Sequence, residues 1–387
     1  MLSLEEQDII EKFGDKDSFE LALILNKQKN IDGRKIAQQI ESRKKMKDKA
    51  PQWCKNKAIF FPYGLSLEQG SSETTAAFKA NLIEGKIIDI TGGMGMDSWG
   101  FSLNKKNKIR TFEQNENLFE ISKYNHQVLN TEVEWKLGDG MEFILKEKLE
   151  IDWIFADPDR RGISGQKLYK LADCQPNIVE LIKEKPDLNY LFKLSPMLDI
   201  EQSIKELEGV QKIWVIIFKG EVKEILIRKT KEKSFDPPIE IIELKTNKPP
   251  LLIYSGKKSM EKEKKKYLGG IGKYLYEPHV GILKAGFFKQ IQNENLWKLG
   301  IHTHLYSSNM LMEDFKGKIF EICYSGKFEK GKVEEILGKK IEIIQKNFPL
   351  TPNEIYKKLG LKPGGDHFLY CYRNQFEKLE MAICKRI

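Results

Sequence analysis

From Ile87 to Asp157 the chain repeats one pattern: a short apolar run, an acidic residue at or near its end, then a stretch with helical spacing. Ile87, Ile88 and Ile90 form a β-branched run of the kind found in a strand covered on both faces, with Asp89 at its carboxyl end. A second run, Lys108 to Phe112, closes at Glu113; a third, from Val133 towards Gly140, carries Asp139; a fourth, Asp152 to Ala156, runs into Asp157. Helical spacing separates them over Glu116 to Leu129 and over Met141 to Lys148. Strands alternating with helices predict an α/β fold with a doubly wound, Rossmann-like sheet. KIWVIIF (212–218) and EVKEILIR (221–228) then read as two strands of a hairpin turning at Lys219 and Gly220.

The flanks have a different character. Residues 1–70 are expected to be mainly helical, with apolar residues at helical spacing in SFELALIL and IAQQIESRKKM. The pairs Pro237–Pro238 and Pro249–Pro250 mark a junction, and GKKSMEKEKKKYLGG (256–270) reads as a charged helix or exposed loop. Beyond it, strand and helix signals alternate to the end of the sequence as a small α/β module. The expected division is a basic helical region over 1–70, a cofactor-binding domain over 71–235, a linker and charged segment over 236–274, and a C-terminal module over 275–387.

The turn after the first strand, TGGMGMD, holds Gly92, Gly93 and Gly95, which let the backbone bend sharply beside a ligand. Such a turn is shared by dinucleotide binders, phosphate-binding loops and S-adenosylmethionine enzymes. No Gly-Lys-Ser/Thr ending is present, which argues against a nucleoside triphosphate site. Gly95 is followed by Met96, Asp97 and Ser98, so the G-x-G-x-x-G spacing fails as well. Glu113, 18 residues after Gly95, stands where a doubly wound sheet sets an acid against ribose hydroxyls.

With these residues in place, the chain resembles the class I S-adenosylmethionine-dependent methyltransferases over about residues 70–230. That resemblance implies that Asp89 sits near the amino-acid end of the cofactor, that Gly93 and Gly95 permit its close approach, that Glu113 takes the ribose hydroxyls, and that Asp139 meets the adenine amino group. Thr91, Gly92 and Asp97 complete the expected cofactor-binding set. The ordered segments IDITGGMGMDSW, TFEQNENL, ADPDRR, FKLSPMLDI and KGEVKEILIR, with SSETTA upstream and YEPHVGILKAG and HLYSSN downstream, resemble one branch of the class. These are bacterial methyltransferases, common in Bacteroidetes, with a C-terminal THUMP-like domain. The resemblance implies a ferredoxin-like and THUMP-like, RNA-binding C-terminal region and an RNA substrate, rRNA or tRNA.

Charge sharpens that expectation. The chain carries 65 Lys+Arg against 56 Asp+Glu, and residues 240–387 hold 27 against 17, so the net positive charge lies in the C-terminal part. Residues 27–57 add a second basic segment, 11 against 3. Two basic regions around a near-neutral core suit a polyanion held across an active site, or form a lysine-rich solvated surface. No apolar run approaches the length of a membrane span, the opening MLSLEEQDIIEKF is unlike a signal peptide, and the five cysteines form no C-x-x-C pair. A cytoplasmic protein without a metal site is expected.

The chemistry is expected at Asp157 to Arg161. Where an exocyclic base amine is methylated, an Asp/Asn-Pro-Pro-aromatic turn after the fourth strand orients the nitrogen lone pair towards the methyl group. Asp157 and Pro158 match that turn; Arg160 and Arg161 stand where the aromatic would be. Either the arginines stack on a base or clamp a phosphate, or they pair with Asp157 or Asp159 and brace the turn. Lys193 would serve a ribose hydroxyl as base only if its pKa were lowered; Cys174 reads as a buried structural thiol, and His302 and His304 as packing residues. Two other readings stay open: a methyltransferase acting on a protein or small metabolite, and a non-catalytic RNA-binding protein with a vestigial cofactor fold.

Overall fold

In the computed structural model the described residues are 1–14, 32–64, 67, 70–147, 150–160, 170–232, 234–337 and 340–387. The SFELALIL segment, Lys27, Lys29 and Arg161 lie outside them. Two compact units are present, one of residues 1–219, 223–235 and 244–251, the other of 220–222, 236–243 and 252–387.

The first unit opens with α1 (Leu4–Phe13), α2 (Gly33–Met46), α3 (Pro51–Lys55) and α4 (Glu73–Lys79). Ser3 and Ser72 cap α1 and α4 through reciprocal bonds with the residue three positions on. Much of the basic character of this region is spent internally. The Arg43 guanidinium donates to the carbonyls of Cys54, Asn56, Lys57 and Ile59, Lys35 pairs with Glu6, and Lys57 with Glu11. Phe60 and Phe61, which follow this segment, are core residues, whereas Tyr63 is 39% exposed.

The sheet follows: β1 (Lys86–Asp89), α5 (Met96–Ser102), β2 (Lys108–Glu113), α6 (Glu116–Val128), β3 (Val133–Leu137), α7 (Gly140–Lys146), β4 (Trp153–Ala156), α8 (Ile178–Glu184), β5 (Tyr190–Leu194), α9 (Ile200–Leu207), β6 (Val210–Phe218) and β7 (Glu221–Lys229). The strand order is β3-β2-β1-β4-β5-β7-β6, parallel through β5, with β7 antiparallel to β5. Lys219 and Gly220 both have positive φ, 54° and 77°, as a two-residue hairpin turn requires. β5 is buried along its whole length, and Phe101 of α5 packs edge-on against Phe155 of β4. Chain order reverses between β1 and β4, so the carboxyl ends of adjacent strands bring Asp89, Glu113, Asp139 and Asp157 to one edge of the sheet, beside the switch point where such sheets bind ligands.

In the second unit, β8 (Ile239–Leu244) lies beside β9 (Leu251–Gly256), and α10 (Lys258–Glu263) follows. The stretch expected as a linker thus contains regular structure, because Ile239, Ile241, Ile242 and Leu244 are buried rather than solvated. Next come β10 (Tyr274–Pro278), α11 (Val280–Ala285), β11 (Trp297–Lys298), β12 (Tyr306–Ser308), β13 (Gly317–Lys327), α12 (Lys332–Leu337), β14 (Glu342–Lys346), α13 (Pro352–Leu359), β15 (His367–Arg373) and β16 (Leu379–Arg386). Their sheet runs β11-β12-β10-β13-β16-β15-β14, with only the β14–β15 edge parallel. Ile355 and Leu359 of α13 share a core with Leu369, Met381 and Ile383. Tyr276 is buried here. His304 packs against Phe288, ring centroids 4.0 Å apart, and among the described residues no group of His, Cys, Asp or Glu is placed to hold a metal ion. No helix among them is long and apolar enough to cross a membrane.

Candidate active site

A cavity of about 770 Å³ opens at the switch-point edge, within the usual range for small-molecule sites. Thr91, Gly92, Gly93, Gly95, Asp97, Glu113, Asp139 and Asp157 all stand on its wall, so the structure gathers most of the residues singled out in the sequence into one place. Ile90, Met94, Met96, Phe112 and Met141 supply apolar lining.

The glycine turn is held from every side. Gly92 N–H donates to the Phe112 carbonyl at 2.8 Å, and Gly95 N–H to the Gly92 carbonyl at 2.9 Å. Gly93 N–H donates to Glu113 Oε2 at 2.8 Å, while Ser122 Oγ donates to the Gly93 carbonyl at 2.8 Å. His126 Nε2 lies 3.0 Å from the Gly95 carbonyl and is therefore the protonated ring nitrogen. Gly93 and Gly95 have φ of +54° and +86°, the left-handed region that side chains disfavour. A turn so fixed is ready for its ligand without further ordering.

Asp89 lies deeper than the other acids. It is fully buried under the turn and is not on the cavity wall, because its oxygens are consumed by Thr91 N–H at 2.9 Å and Ser98 Oγ at 2.7 Å. In that place it holds the Thr91 N–H and with it the start of the turn. Burial pushes its carboxyl up to about 7 against the opposing hydrogen bonds, and burial pushes the His126 ring down to about 4. These two shifts oppose each other. Between pH 6.5 and 4 the unfolded chain carries a proton on His126 that the folded chain lacks, so this group costs stability as pH falls. Asp89 behaves in the opposite sense: the folded chain holds a proton that the unfolded one has lost from pH 3.8 to 7. Each effect is worth about 3–4 kcal/mol. Asp89→Asn keeps the Thr91 bond, gives up the bond from Ser98 Oγ at every pH, and removes the compensating titration. The expected result is a variant whose stability, measured by urea unfolding, falls about 3 kcal/mol further than that of the natural protein from pH 6.5 to 4; parallel curves would refute the pairing.

The other acids differ in their surroundings. Both Glu113 oxygens accept backbone N–H groups, from Gly93 and from Asn115, which fixes the carboxylate at the end of β2. Asp139 caps α7 through Glu142 N–H at 3.0 Å and is exposed. The Asp157 N–H donates to Thr91 Oγ1 at 2.8 Å, tying the turn after β4 to the glycine turn. Asp159 and Gln175 exchange backbone hydrogen bonds of 2.7 and 3.0 Å that anchor the same turn.

Lys193, at the end of β5, forms an ion pair with Asp157 and lies 3.5 Å from Asp97. Burial alone would lower its pKa, but the carboxylates of Asp157, Asp97 and Glu224 outweigh burial and raise it. It is a fixed cation, which removes it as the base for a ribose hydroxyl. Burial raises the Asp157 carboxyl against the Lys193 charge. A second cavity, of about 240 Å³, is lined by Asp157, Pro158, Asp159, Arg160, Lys193, Leu194, Ser195, Pro196 and Lys223, so Asp157, Asp159 and Lys193 stand on the walls of both cavities. Arg160 thus faces this smaller space and not the larger one. Cys174 is buried, and burial pushes its thiol up to about 11, consistent with a structural role.

Ser71, Lys79 and Glu224 were not foreseen. They form a buried network with Asp97 behind the cavity. The signal for Lys79 was a lysine closing the apolar stretch Ala76, Ala77 and Phe78, and for Glu224 a carboxylate directly before the buried strand run ILI.

Comparison with known proteins adds the following. Residues 274–315 match the model of a ferredoxin-like domain and residues 317–386 that of a THUMP domain-like family. A crystal structure of a candidate methyltransferase from Porphyromonas gingivalis W83 is similar over 99% of this chain and 98% of that one, at 28% identity and a TM-score of 0.85. The chain is a methyltransferase by its fold, with a THUMP-like C-terminal domain. Lesser likenesses to this methyltransferase include the Pyrococcus abyssi tRNA (uracil-54, C5)-methyltransferase in complex with S-adenosyl-L-homocysteine (17% identity, 44% and 40% of the two chains, TM-score 0.29). The M. capricolum protein TrmK in complex with S-adenosyl-homocysteine is another (19%, 41% and 68%, 0.31). No curated protein matches the sequence. The methyl donor of the class is S-adenosylmethionine, and the cavity suits it: apolar side chains for a purine, carboxylates at the ends of β2 and β3, a glycine turn with no side chains in the way, and acidic groups for a positively charged sulfur.

Proposed function

We propose that this methyltransferase modifies a base nitrogen in structured RNA, rRNA or tRNA, in the cytoplasm, with the smaller cavity receiving the target base. The observation that carries the reading is the position of Asp157, a carboxylate on the wall of the donor cavity and of a second space large enough for one base. S-adenosylmethionine supplies, when bound, a methyl group made electrophilic by its positive sulfur. Glu113 is assigned to the ribose hydroxyls, Asp139 to the adenine amino group, and Thr91, Gly92, Gly93, Gly95 and Asp97 to the remainder of the donor. Asp157 accepts a hydrogen bond from the target N–H and aims the nitrogen lone pair; Pro158 shapes the turn. Lys193 holds Asp157 in place and, being protonated, removes no proton from the acceptor. Arg160, on the wall of the smaller cavity, is suited to a base face or a phosphate; Arg161 adjoins it in sequence. The THUMP-like domain and the excess of lysine in residues 240–387 support a polyanionic partner.

Nucleosides from rRNA and tRNA of a deletion strain, compared with the parent by mass spectrometry, are expected to lack one N-methylated base. The purified protein with S-adenosylmethionine is expected to restore it. Unchanged nucleosides in both fractions would overturn the RNA reading and favour a protein or metabolite acceptor. Restoration of function by an inactive variant would favour the non-catalytic one.

A further inference from the structure

Five charged side chains from separate elements meet at the wall of the donor cavity and behind it. Lys79 of α4 is fully buried, with Nζ 2.6 Å from Glu224 Oε1, 3.0 Å from Asp97 Oδ1 and 3.0 Å from Ser71 Oγ. Lys193 of β5 joins Asp97 to Asp157. Ser71 Oγ donates to Asp97 Oδ2 at 2.9 Å and stands 3.4 Å from Glu224 Oε2. Two ammonium groups therefore face three carboxylates. Lys79, Asp97, Lys193 and Glu224 are buried and balance one another; Asp157, whose side chain is 31% exposed, is the member in excess and opens on the cavity. Glu224 is on β7, 3% exposed, and takes no part in the cavity wall.

We infer that Glu224 acts through this chain of charges as a specificity-determining residue, keeping the cluster one negative charge in excess so that the cavity prefers the sulfonium donor to its uncharged-sulfur product. The inference rests on the donor assignment above. In methyl transfer the C–S bond breaks and its electron pair stays on sulfur, which becomes neutral. The acceptor nitrogen forms the new N–C bond and gives up one proton to solvent. The attraction between the cluster and the sulfur is lost at that moment, which favours product release. Charge interactions across a protein interior act over several ångströms, so Glu224 needs no contact with the donor.

S-adenosylmethionine and S-adenosylhomocysteine differ by one methyl group and one charge, and calorimetric titration of the full chain with each separates the effects. Glu224→Gln keeps the shape and removes one negative charge; it is expected to weaken S-adenosylmethionine about tenfold and S-adenosylhomocysteine by no more than about twofold. Lys79→Met adds one uncompensated negative charge and is expected to move the affinity ratio the other way. The double variant Lys79→Met/Glu224→Met restores the charge balance with an apolar pair, which buried sites often accept, and is expected to keep the natural ratio. Lys79→Met, read against that double variant, decides the matter even where Glu224→Gln fails to fold: an unchanged ratio in Lys79→Met would overturn the inference. Equal losses for both nucleosides in Glu224→Gln, or an altered ratio in the double variant, would overturn the inference while leaving the donor assignment standing. Failure of the natural protein to bind either nucleoside would remove both.

Discussion

Asp157→Ala is expected to lower the rate of methyl transfer at least about 100-fold, while the donor dissociation constant changes by no more than about tenfold. The two readouts separate because of where the residue stands. Its backbone N–H, bonded to Thr91 Oγ1, persists in the variant, so the link between the turn after β4 and the glycine turn is retained. The side chain is what the acceptor loses. Lys193 keeps Asp97 at 3.5 Å, so removal of Asp157 leaves no wholly unpaired buried ammonium and the fold is expected to survive; a thermal melt checks this. The modest loss allowed in donor binding is the charge effect of one carboxylate. A rate unchanged at saturating RNA would move the acceptor away from the smaller cavity. A donor affinity lost more than 100-fold, with the rate preserved once the donor saturates, would make Asp157 part of the donor site.

The sheet was legible because its strands declare themselves: β1, β2, β4 and β5 carry apolar runs, and a doubly wound sheet places the residues after such runs at one edge whatever the helices between them contain. Asp157, Glu113 and the glycine turn could thus be placed together from sequence alone. The burial of Asp89 was not legible, because a carboxylate at a strand end looks the same whether it lines a cavity or is folded inward; only the buried Ser98 and Thr111 hydroxyls around it show the difference. For Lys193 the sequence left the sign of the pKa shift open, since that sign depends on three carboxylates drawn from other elements. Lys79 and Glu224 lie 145 positions apart, and periodicity has no means of pairing them. The strands over 239–256 were obscured by the proline pairs beside them, which interrupt regular structure only at its ends.

Gly95→Ala is expected to lose about 2–5 kcal/mol of stability, whereas Gly93→Ala, two positions away in the same turn, loses about 1–2 kcal/mol. Both glycines have positive φ, so an alanine strains the backbone at either. They differ in what surrounds them. A Cβ on Gly95 falls 2.4 Å from His126 Nε2 and 2.9 Å from Trp135 Cζ2, so the ring that donates to the Gly95 carbonyl must move and its bond is endangered. His126 cannot withdraw freely, being packed against Trp53 and Trp135. A Cβ on Gly93 meets only the Thr91 carbonyl oxygen, at 3.9 Å, on a residue that stands on the cavity wall. The smaller stability loss there is expected to accompany the more direct effect on the donor, a fall in S-adenosylmethionine affinity of about tenfold or more in a protein that still melts cooperatively. Urea unfolding ranks the two variants by stability and calorimetric titration by affinity. A Gly93→Ala variant that binds the donor as the natural protein does would place the donor away from this turn; a Gly95→Ala variant of natural stability would mean that the tryptophan and histidine packing behind the turn yields at little cost.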